Sequence, residues 1–278
     1  MATNLDGRAI AARLCTQIQT TVSGKSLAPN LALVLATNDE AATSYIRIIR
    51  KMAERTGIKT ELIDLGVDAS QQQLRTKLDE LAADATVHGI ILQTPLPDDV
   101  NGDELRAHIP LDKDVDGASP LSSGRLITGQ KCFVPATAEA VMVVLHEYNI
   151  PIAGSQAVIV GRSRVVGKPL SLLLLQEDAT VTICHTKTKD LKAVTSRGDI
   201  LVAAAGQAEL ITPEFVKPGA NVIDVGTNLS ADGKLVGDVQ AEQVSKVAGT
   251  LSPVPGGVGP VTTAILLQHT LQAATNVK

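Results

Sequence analysis

A glycine-containing segment in the second half of the chain has the spacing of a phosphate-binding loop. Residues 161–169, GRSRVVGKP, follow an apolar β-branched run and precede a leucine-rich stretch. Gly161 would allow a tight turn after a strand, and Gly167 would let a helix approach that strand. The N-terminus of such a helix offers N–H groups and a positive dipole end to an anion. The spacing predicts either a nucleotide-phosphate site or an ordinary strand-to-helix turn, because glycines alone do not separate the two.

The end of the next predicted strand indicates which dinucleotide would fit. NAD sites usually carry Asp or Glu about 20 residues after the glycine loop, where it accepts a hydrogen bond from the ribose 2′-hydroxyl. Here the strand ends in Cys184, His185 and Thr186 without a carboxylate. Arg162 and Thr186 offer a cation and a hydroxyl donor instead, so we expect NADP rather than NAD. The alternative is that the basic residues are solvated surface charges, the commoner role of a single arginine.

Two residues in the first half have functional side chains whose roles cannot be assigned from local spacing. Asp116 precedes Gly117, and this pair often forms a turn, so a turn role competes with ligand binding. Tyr45 lies in a helical pattern and by itself would be interpreted as a core aromatic. Local spacing therefore leaves the roles of both residues open.

The elements that must position these residues follow an alternating pattern of short β-branched runs and helices. This alternation is typical of an α/β protein with parallel sheets covered on both faces. In the first half we predict strands at residues 31–37, 59–65 and 89–93, and helices at residues 40–55 and 70–83. In the second half we predict strands at residues 156–161, 180–185, 199–206 and 221–226, and a weaker one at 247–252. Residues 110–135 lack periodicity and are predicted to form a loop.

The composition excludes several classes of protein. With 278 residues, 44% of them apolar, the chain is long enough for two domains with buried cores. A net charge of −4 and an aromatic content of 1% argue against nucleic-acid binding. Three widely spaced cysteines predict neither a disulfide framework nor a thiolate metal site. No apolar run is long enough for a membrane span, so we expect a cytoplasmic protein. Because the cysteines have no metal-site spacing, we also expect no bound metal.

Five stretches, taken in order, resemble the methylenetetrahydrofolate dehydrogenase/cyclohydrolase family. They are Tyr45, residues 93–97 (QTPLP), residues 113–117 (KDVDG), residues 161–169 and residues 253–262 (PVPGGVGPVT). The resemblance implies two α/β domains with a cleft between them. Residues 1–138 with a C-terminal helix at 260–278 would form the folate-binding catalytic domain, and residues 139–259 a Rossmann-like NADP domain. It also implies a homodimer formed through the NADP domain.

The resemblance also implies roles for individual residues of this chain. It implies that Asp116 hydrogen-bonds the pterin, that Tyr45 flanks the folate and that Gln93 belongs to the catalytic site. A loop over the folate is expected at Pro255, Gly256, Gly257, Val258 and Gly259. NADP contacts are expected from Gly161, Arg162, Ser163, Thr186 and Thr227.

One departure from the family pattern falls on a catalytic position. The tyrosine of the family begins a Tyr-x-x-x-Lys motif with a catalytic lysine, whereas the fourth residue after Tyr45 is Ile49. At about 100° per residue, position 49 lies about 40° from Tyr45, and Lys51 lies about 120° away on another face. We therefore expect that Lys51 does not replace the lysine. Tyr45, Ile48, Ile49 and Met52 are predicted to form one apolar face.

Further departures occur on the folate side, while the NADP side is nearly intact. They are Thr37, Thr94, Ser122, Ala136 and Ala138. The expected function is NADP-dependent oxidation of 5,10-methylenetetrahydrofolate, with the cyclohydrolase step weak or absent. The alternatives are a fully bifunctional enzyme and a catalytically weak homologue that binds NADP or folate.

Overall fold

The computed structural model describes residues 1–230 and 233–276. Their contacts divide into two compact units. The six-strand unit comprises Met1–Ala11 and Thr137–Thr262, and the three-strand unit comprises Ala12–Ala136 with the C-terminal segment from Thr263. Within these described ranges, no helix is both long and apolar enough to cross a bilayer.

The elements are numbered along the chain. The strands are β1 (Thr3–Asn4), β2 (Asn30–Leu35), β3 (Lys59–Asp64), β4 (Gly89–Leu92), β5 (Gln156–Val160), β6 (Thr180–Cys184), β7 (Ile200–Ala203), β8 (Asn221–Asp224), β9 (Asn228–Leu229), β10 (Leu235–Val236) and β11 (Thr250–Leu251). The helices are α1 (Gly7–Gly24), α2 (Glu40–Thr56), α3 (Gln71–Ala83), α4 (Gly102–Arg106), α5 (Pro120–Ile127), α6 (Ala136–Glu147), α7 (Gly167–Gln176), α8 (Leu191–Thr195), α9 (Ala241–Val244) and α10 (Val258–Asn276), with a 3₁₀ turn at Pro213–Phe215.

The six-strand unit contains a parallel sheet in the order β1-β11-β8-β7-β5-β6. The α/β class and the five strands predicted in the second half are confirmed, and β1 is an additional edge strand. Thr3 pairs with Thr250, so residues 1–11 belong to this unit and not to the predicted 1–138 domain. A strand of two residues is too short to produce a periodic pattern, which is why the sequence did not indicate it.

The three-strand unit contains the parallel sheet β3-β2-β4. Strand β2 is central and buried along its whole length, whereas β3 is an edge strand whose residues are exposed or half-buried. Helices α3 and α4 cover the sheet through leucines that pack against β2 and β4. Gln93 follows β4 directly, so it lies at the carboxyl end of this sheet.

Helix α2 begins and ends as the sequence predicts. The carboxylate of Asp39 accepts a hydrogen bond from Ala42 N at 2.7 Å, and Gly57 ends the helix in a left-handed conformation with φ of 77°. The predicted apolar face was partly wrong, because Ile48 is 53% exposed. The buried stripe consists of Ala42, Ile46, Ile49, Ala53 and Thr56.

The prediction of a loop over residues 110–135 was also wrong in part. Helix α5 occupies Pro120–Ile127, and the Ser119 side chain caps it by accepting a hydrogen bond from Ser122 N at 3.1 Å. Ser followed by Pro is a helix-start signal, since Pro is favoured at the first helical position. The short helix was missed because eight residues give little periodicity.

Candidate active site

The glycine loop packs as its spacing predicts. Gly161 has φ of 136°, and a Cβ on it would lie 2.0 Å from the carbonyl oxygen of Ala204. A Cβ on Gly167 would lie 2.1 Å from the carbonyl oxygen of Gly161. Since side chains would collide with backbone at both positions, the two glycines allow β5, β7 and α7 to meet closely.

The N-terminus of α7 has the properties of an anion site. Its N-cap residue, Val166, makes no side-chain capping hydrogen bond. Ser163 lies in the preceding loop, and its Oγ accepts a hydrogen bond from Val166 N at 3.2 Å. Arg162 and Ser163 are exposed beside this helix end. A helix N-terminus next to a guanidinium and a hydroxyl fits a phosphate group.

The end of β6 lies next to this loop and carries no carboxylate. Gly161 N donates to the carbonyl oxygen of Cys184 at 2.9 Å, which joins the two strand ends. Thr186 is exposed in the turn that follows. The first carboxylate after the strand is Asp190, which caps α8 by accepting a hydrogen bond from Ala193 N. The donor set at this strand end therefore fits a ribose 2′-phosphate better than a 2′-hydroxyl.

Two buried carboxylates hold the loops after β7 and β8. Asp238 accepts hydrogen bonds from the backbone N–H groups of Ala205, Gly206 and Gln207. Asp224 accepts from Gly226 N, Asp238 N and Val239 N, and burial raises its pKa to about 6. Thr227 is exposed in the loop after β8, and β7 separates that strand from β5. The sequence did not indicate these carboxylates as supports of the predicted cofactor residues.

The Asp238→Ala variant is expected to lower the free energy of unfolding by at least about 3 kcal/mol, because several N–H groups bonded to a buried charge lose their acceptor. Urea denaturation followed by circular dichroism measures the loss. Asp190→Ala is the matched control, since it removes one exposed helix cap worth about 1 kcal/mol. Equal losses in the two variants would contradict the structural role of Asp238.

The glycine-rich loop before α10 is fixed by the start of α1. Gly7 N donates to the carbonyl oxygen of Gly256 at 2.9 Å, and Arg8 Nη2 donates to that of Pro255 at 3.2 Å. Gly256 has φ of 114°, and a Cβ on it would collide with the Arg8 guanidinium. Gly257 and Val258 are buried, whereas Gly259 is exposed. These contacts lie within the six-strand unit.

In the KDVDG motif, the first two charged side chains have structural roles. Lys113 Nζ donates to carbonyl oxygens at the end of α3, including that of Ala82 at 2.8 Å. The Asp114 carboxylate accepts hydrogen bonds from Ala118 N, Ser119 N and Ser122 Oγ. Ser122, a departure from the family pattern, is therefore a partner of Asp114. This arrangement fixes the loop. Asp116 is then the charged residue of the motif that is left as a candidate for ligand binding.

Asp116 and Tyr45 are brought together in the three-strand unit. Burial and the neighbouring Asp114 raise the pKa of Asp116 to about 7, while Arg106 and His269 oppose the shift. Burial raises the pKa of Tyr45, and the Asp116 charge adds to this effect. Tyr45 also forms a side-chain hydrogen bond with Thr263. A tyrosine and a titratable carboxylate therefore interact in a partly desolvated site.

Gln93 lies at the end of β4 within the same unit. Its Nε2 donates to the carbonyl oxygen of Thr94 at 2.8 Å. The side chain is half-buried, so its amide oxygen is a hydrogen-bond acceptor at the carboxyl end of the sheet.

Ile49 is fully buried, and the nearby basic residues of α2 lie on another surface. Lys51 is exposed and lines a groove with Arg47, Arg50 and Glu54. The helical geometry predicted for Lys51 is confirmed. No described basic side chain of α2 therefore shares the buried stripe with Ile49.

Sequence reasoning missed three residues that interact with Tyr45 or Asp116. Arg106 lies on α4, and Thr263 and His269 lie on α10. The Nδ1–H of His269 donates to the carbonyl oxygen of Val115 at 2.8 Å, which places α10 against the KDVDG segment. No local signal marks these residues, because their partners lie far away in the sequence.

Comparison with known proteins gives two family matches that together span most of the chain. The model of the tetrahydrofolate dehydrogenase/cyclohydrolase catalytic domain matches residues 5–116. The model of the NAD(P)-binding domain of the same enzymes matches residues 135–278.

Individual relatives agree with these matches. Bifunctional protein FolD 1 of Paenarthrobacter aurescens is 55% identical over 88% of this chain and 84% of its own length. The solved structure of the bifunctional FolD methylenetetrahydrofolate dehydrogenase/cyclohydrolase from Campylobacter jejuni is 39% identical, with a TM-score of 0.96 and 99% of each chain covered. FolD of Trypanosoma brucei, solved with NADP cofactor and an inhibitor, is 34% identical, with a TM-score of 0.94 and coverage of 99% and 97%.

Proposed function

Because this chain belongs to the tetrahydrofolate dehydrogenase/cyclohydrolase family, we propose that it oxidises 5,10-methylenetetrahydrofolate with NADP to 5,10-methenyltetrahydrofolate. The observation that carries the proposal is the pair Tyr45 and Asp116, a partly desolvated carboxylate beside a tyrosine. Bound NADP supplies a hydride acceptor. The protein contributes a subsite for each ligand, and holding both ligands in orientation is the main requirement of hydride transfer.

The folate subsite is assigned to the three-strand unit. As a carboxylate, Asp116 would accept hydrogen bonds from the amino group and a ring nitrogen of the pterin. Tyr45 would flank the folate, and Gln93 would accept a hydrogen bond near the reacting carbon. Because the pKa of Asp116 is about 7, folate affinity is expected to rise as the pH rises through neutrality.

The cofactor subsite is assigned to the six-strand unit. Gly161, Ser163 and the N-terminus of α7 would hold the pyrophosphate, and Arg162 with Thr186 would contact the 2′-phosphate. Thr227, after β8, is the remaining proposed contact. We also propose that the protein forms a homodimer through this unit, which light scattering tests directly.

The Arg162→Ala variant is expected to lose about 10- to 100-fold in NADP affinity, because a guanidinium–phosphate contact is worth about 1.5–3 kcal/mol. NAD affinity should change little, since NAD lacks the 2′-phosphate. Titration of both cofactors by calorimetry gives the comparison. Arg197→Ala, which removes an exposed arginine before β7, is the control. Equal losses of NADP and NAD affinity would contradict the assignment.

The cyclohydrolase step is proposed to be weak, because Ile49 offers no group for proton transfer. Loss of such a group typically costs about 10²- to 10⁴-fold in rate. The relatives named as bifunctional proteins support a second candidate, a full dehydrogenase/cyclohydrolase. In that case, Asp116 and Gln93 would activate water. The remaining alternative is a homologue that binds both ligands without turnover.

A two-wavelength assay distinguishes the three candidates. The protein is mixed with 5,10-methylenetetrahydrofolate and NADP, and NADPH and 5,10-methenyltetrahydrofolate are followed together. Accumulation of methenyl product in step with NADPH supports the dehydrogenase with weak hydrolysis. NADPH formed without methenyl accumulation supports the bifunctional enzyme, and ligand binding without NADPH supports the binding homologue.

A further inference from the structure

The parallel sheet of the six-strand unit reverses its strand order between two neighbouring strands. From β5 the chain passes to β6 on one side and then crosses back to β7 and β8 on the other, which gives the order β8-β7-β5-β6. In open parallel sheets, a dinucleotide binds across the carboxyl ends of the strands at such a reversal. The reversal lies between β5 and β7, where a Cβ on Gly161 would lie 2.0 Å from the carbonyl oxygen of Ala204.

The two sides of this reversal offer different groups to a dinucleotide. Arg162 and Thr186, the proposed contacts of the 2′-phosphate, follow β5 and β6. The other half of the cofactor then falls to the loops that follow β7 and β8, and Thr227 is exposed in the second of these loops. The spacing between these two loops therefore bears on how the nicotinamide half is held.

One carboxylate, that of Asp238, ties the two loops together. Its Oδ2 accepts hydrogen bonds from Ala205 N and Gly206 N in the loop after β7. Its Oδ1 accepts from Gln207 N at 3.0 Å and from Asn228 Nδ2, after β8, at 2.9 Å. Asp238 is fully buried, whereas the three loop residues after β7 are exposed. The loop thus directs its N–H groups to the carboxylate beneath it and keeps its outer surface open.

Asp238 is itself fixed by Asp224, the last residue of β8. Asp224 Oδ1 accepts a hydrogen bond from Asp238 N at 3.0 Å, and its Oδ2 accepts from Val239 N at 3.0 Å. A Cβ on Gly226 would lie 2.4 Å from Asp238 Oδ1, and a Cβ on Gly237 would lie 1.8 Å from Asp224 Oδ2. Because glycine at both positions allows the carboxylates to approach the backbone, the position of Asp238 is defined by the end of β8.

We propose that Asp238 is a positioning residue of the cofactor subsite, which sets the spacing of the loops after β7 and β8 that hold the nicotinamide half of NADP. The inference rests on the proposed function, because it concerns NADP bound at this sheet. A fully buried side chain does not reach the cofactor, so Asp238 acts through the loops. The loop after β7 is continuous with Ala204, which contacts Gly161 of the phosphate loop. A misplacement of about 1 Å is enough to slow transfer between two held ligands.

The test is calorimetric binding of NADP and of adenosine 2′,5′-bisphosphate, a fragment that keeps the 2′-phosphate half and lacks the nicotinamide half. We expect Asp238→Asn to lower NADP affinity about tenfold or more and Asn228→Ala about fivefold, because hydrogen bonds to a charged group are lost. Affinity for the fragment should stay near the parent value in both variants.

Asn221→Ala is the matched control for Asn228→Ala. It removes a half-buried asparagine at the amino end of β8, where Asn221 Nδ2 donates to the carbonyl oxygen of Asp199 at 3.3 Å. This end of the strand is opposite to the cofactor edge, so both affinities should stay at the parent values. A loss of NADP affinity as large as that of Asn228→Ala would count against the proposal.

A purely structural role of Asp238 would give a different result. Equal losses of affinity for NADP and for the fragment would overturn the proposal, since a general disturbance of the unit weakens both halves of the site. Unchanged NADP affinity in the two variants would overturn it as well. If Asp238→Asn does not fold, Asn228→Ala decides, because it leaves the backbone hydrogen bonds to Asp238 in place. A parent protein that does not bind NADP contradicts the proposed function itself.

Discussion

The Ile49→Lys variant is expected to hydrolyse 5,10-methenyltetrahydrofolate about 10²-fold faster than the parent chain, because it gains a group for proton transfer. Position 49 lies about 40° from Tyr45 around α2, so the new side chain leaves the helix on nearly the same face as Tyr45. We expect the amide oxygen of Gln93 to accept a hydrogen bond from the new ammonium group. Burial lowers the pKa of a lysine toward neutrality, which suits proton transfer. The decay of methenyl absorbance measures the rate.

Ile49→Met is the matched control for this variant. Methionine has a similar length without charge, so it reproduces the change in packing but not the new chemistry. Because Ile49 is fully buried, both variants are expected to lose stability, and the lysine variant more so. Lys51→Ala should leave both activities unchanged, since Lys51 is exposed on another face. Abolition of an existing hydrolase activity by Lys51→Ala would instead identify Lys51 as the functional lysine.

The Asp116→Asn variant is expected to lose about 10²-fold or more in folate affinity at about pH 8, where the parent side chain is ionised. An amide of the same shape presents an NH₂ group toward donors of the pterin, so a charged acceptor is replaced by a mismatched one. NADP affinity should stay near the parent value. Calorimetric titration of tetrahydrofolate and NADP gives both numbers, and unchanged folate affinity would refute the role of Asp116.

The stability of Asp116→Asn separates recognition from folding. The folded pKa of Asp116 is about 7, above the ordinary value of 3.8. The folded state therefore holds the proton more tightly, and the contribution of Asp116 to stability falls as the pH rises from about 4 to 7. The Asn variant lacks this loss and should be at least as stable as the parent at pH 8. A variant that unfolds at this pH would show that Asp116 has a structural role.

The sequence determined the features that depend on neighbours along the chain. Alternating apolar runs predicted the parallel strands, the helical pattern at residues 40–55 predicted α2, and the spacing of Gly161 and Gly167 predicted a close strand-to-helix turn. The position of Lys51 on a separate face also followed from the helical repeat. Each of these is a local property, since backbone conformation and helix faces are governed by residues a few positions apart.

The tertiary structure decided which residues surround the candidate ligand-binding residues. It showed that Asp114 is committed to its own loop, and it brought Arg106, Thr263 and His269 into the environment of Tyr45 and Asp116. It also placed β1 in the six-strand sheet. These relations join residues far apart in the sequence, and a carboxyl pKa depends on burial and on charges that approach only when the chain has packed. The resemblance in sequence therefore identifies Asp116 as a candidate folate-binding residue, whereas its ionisation is a property of the fold.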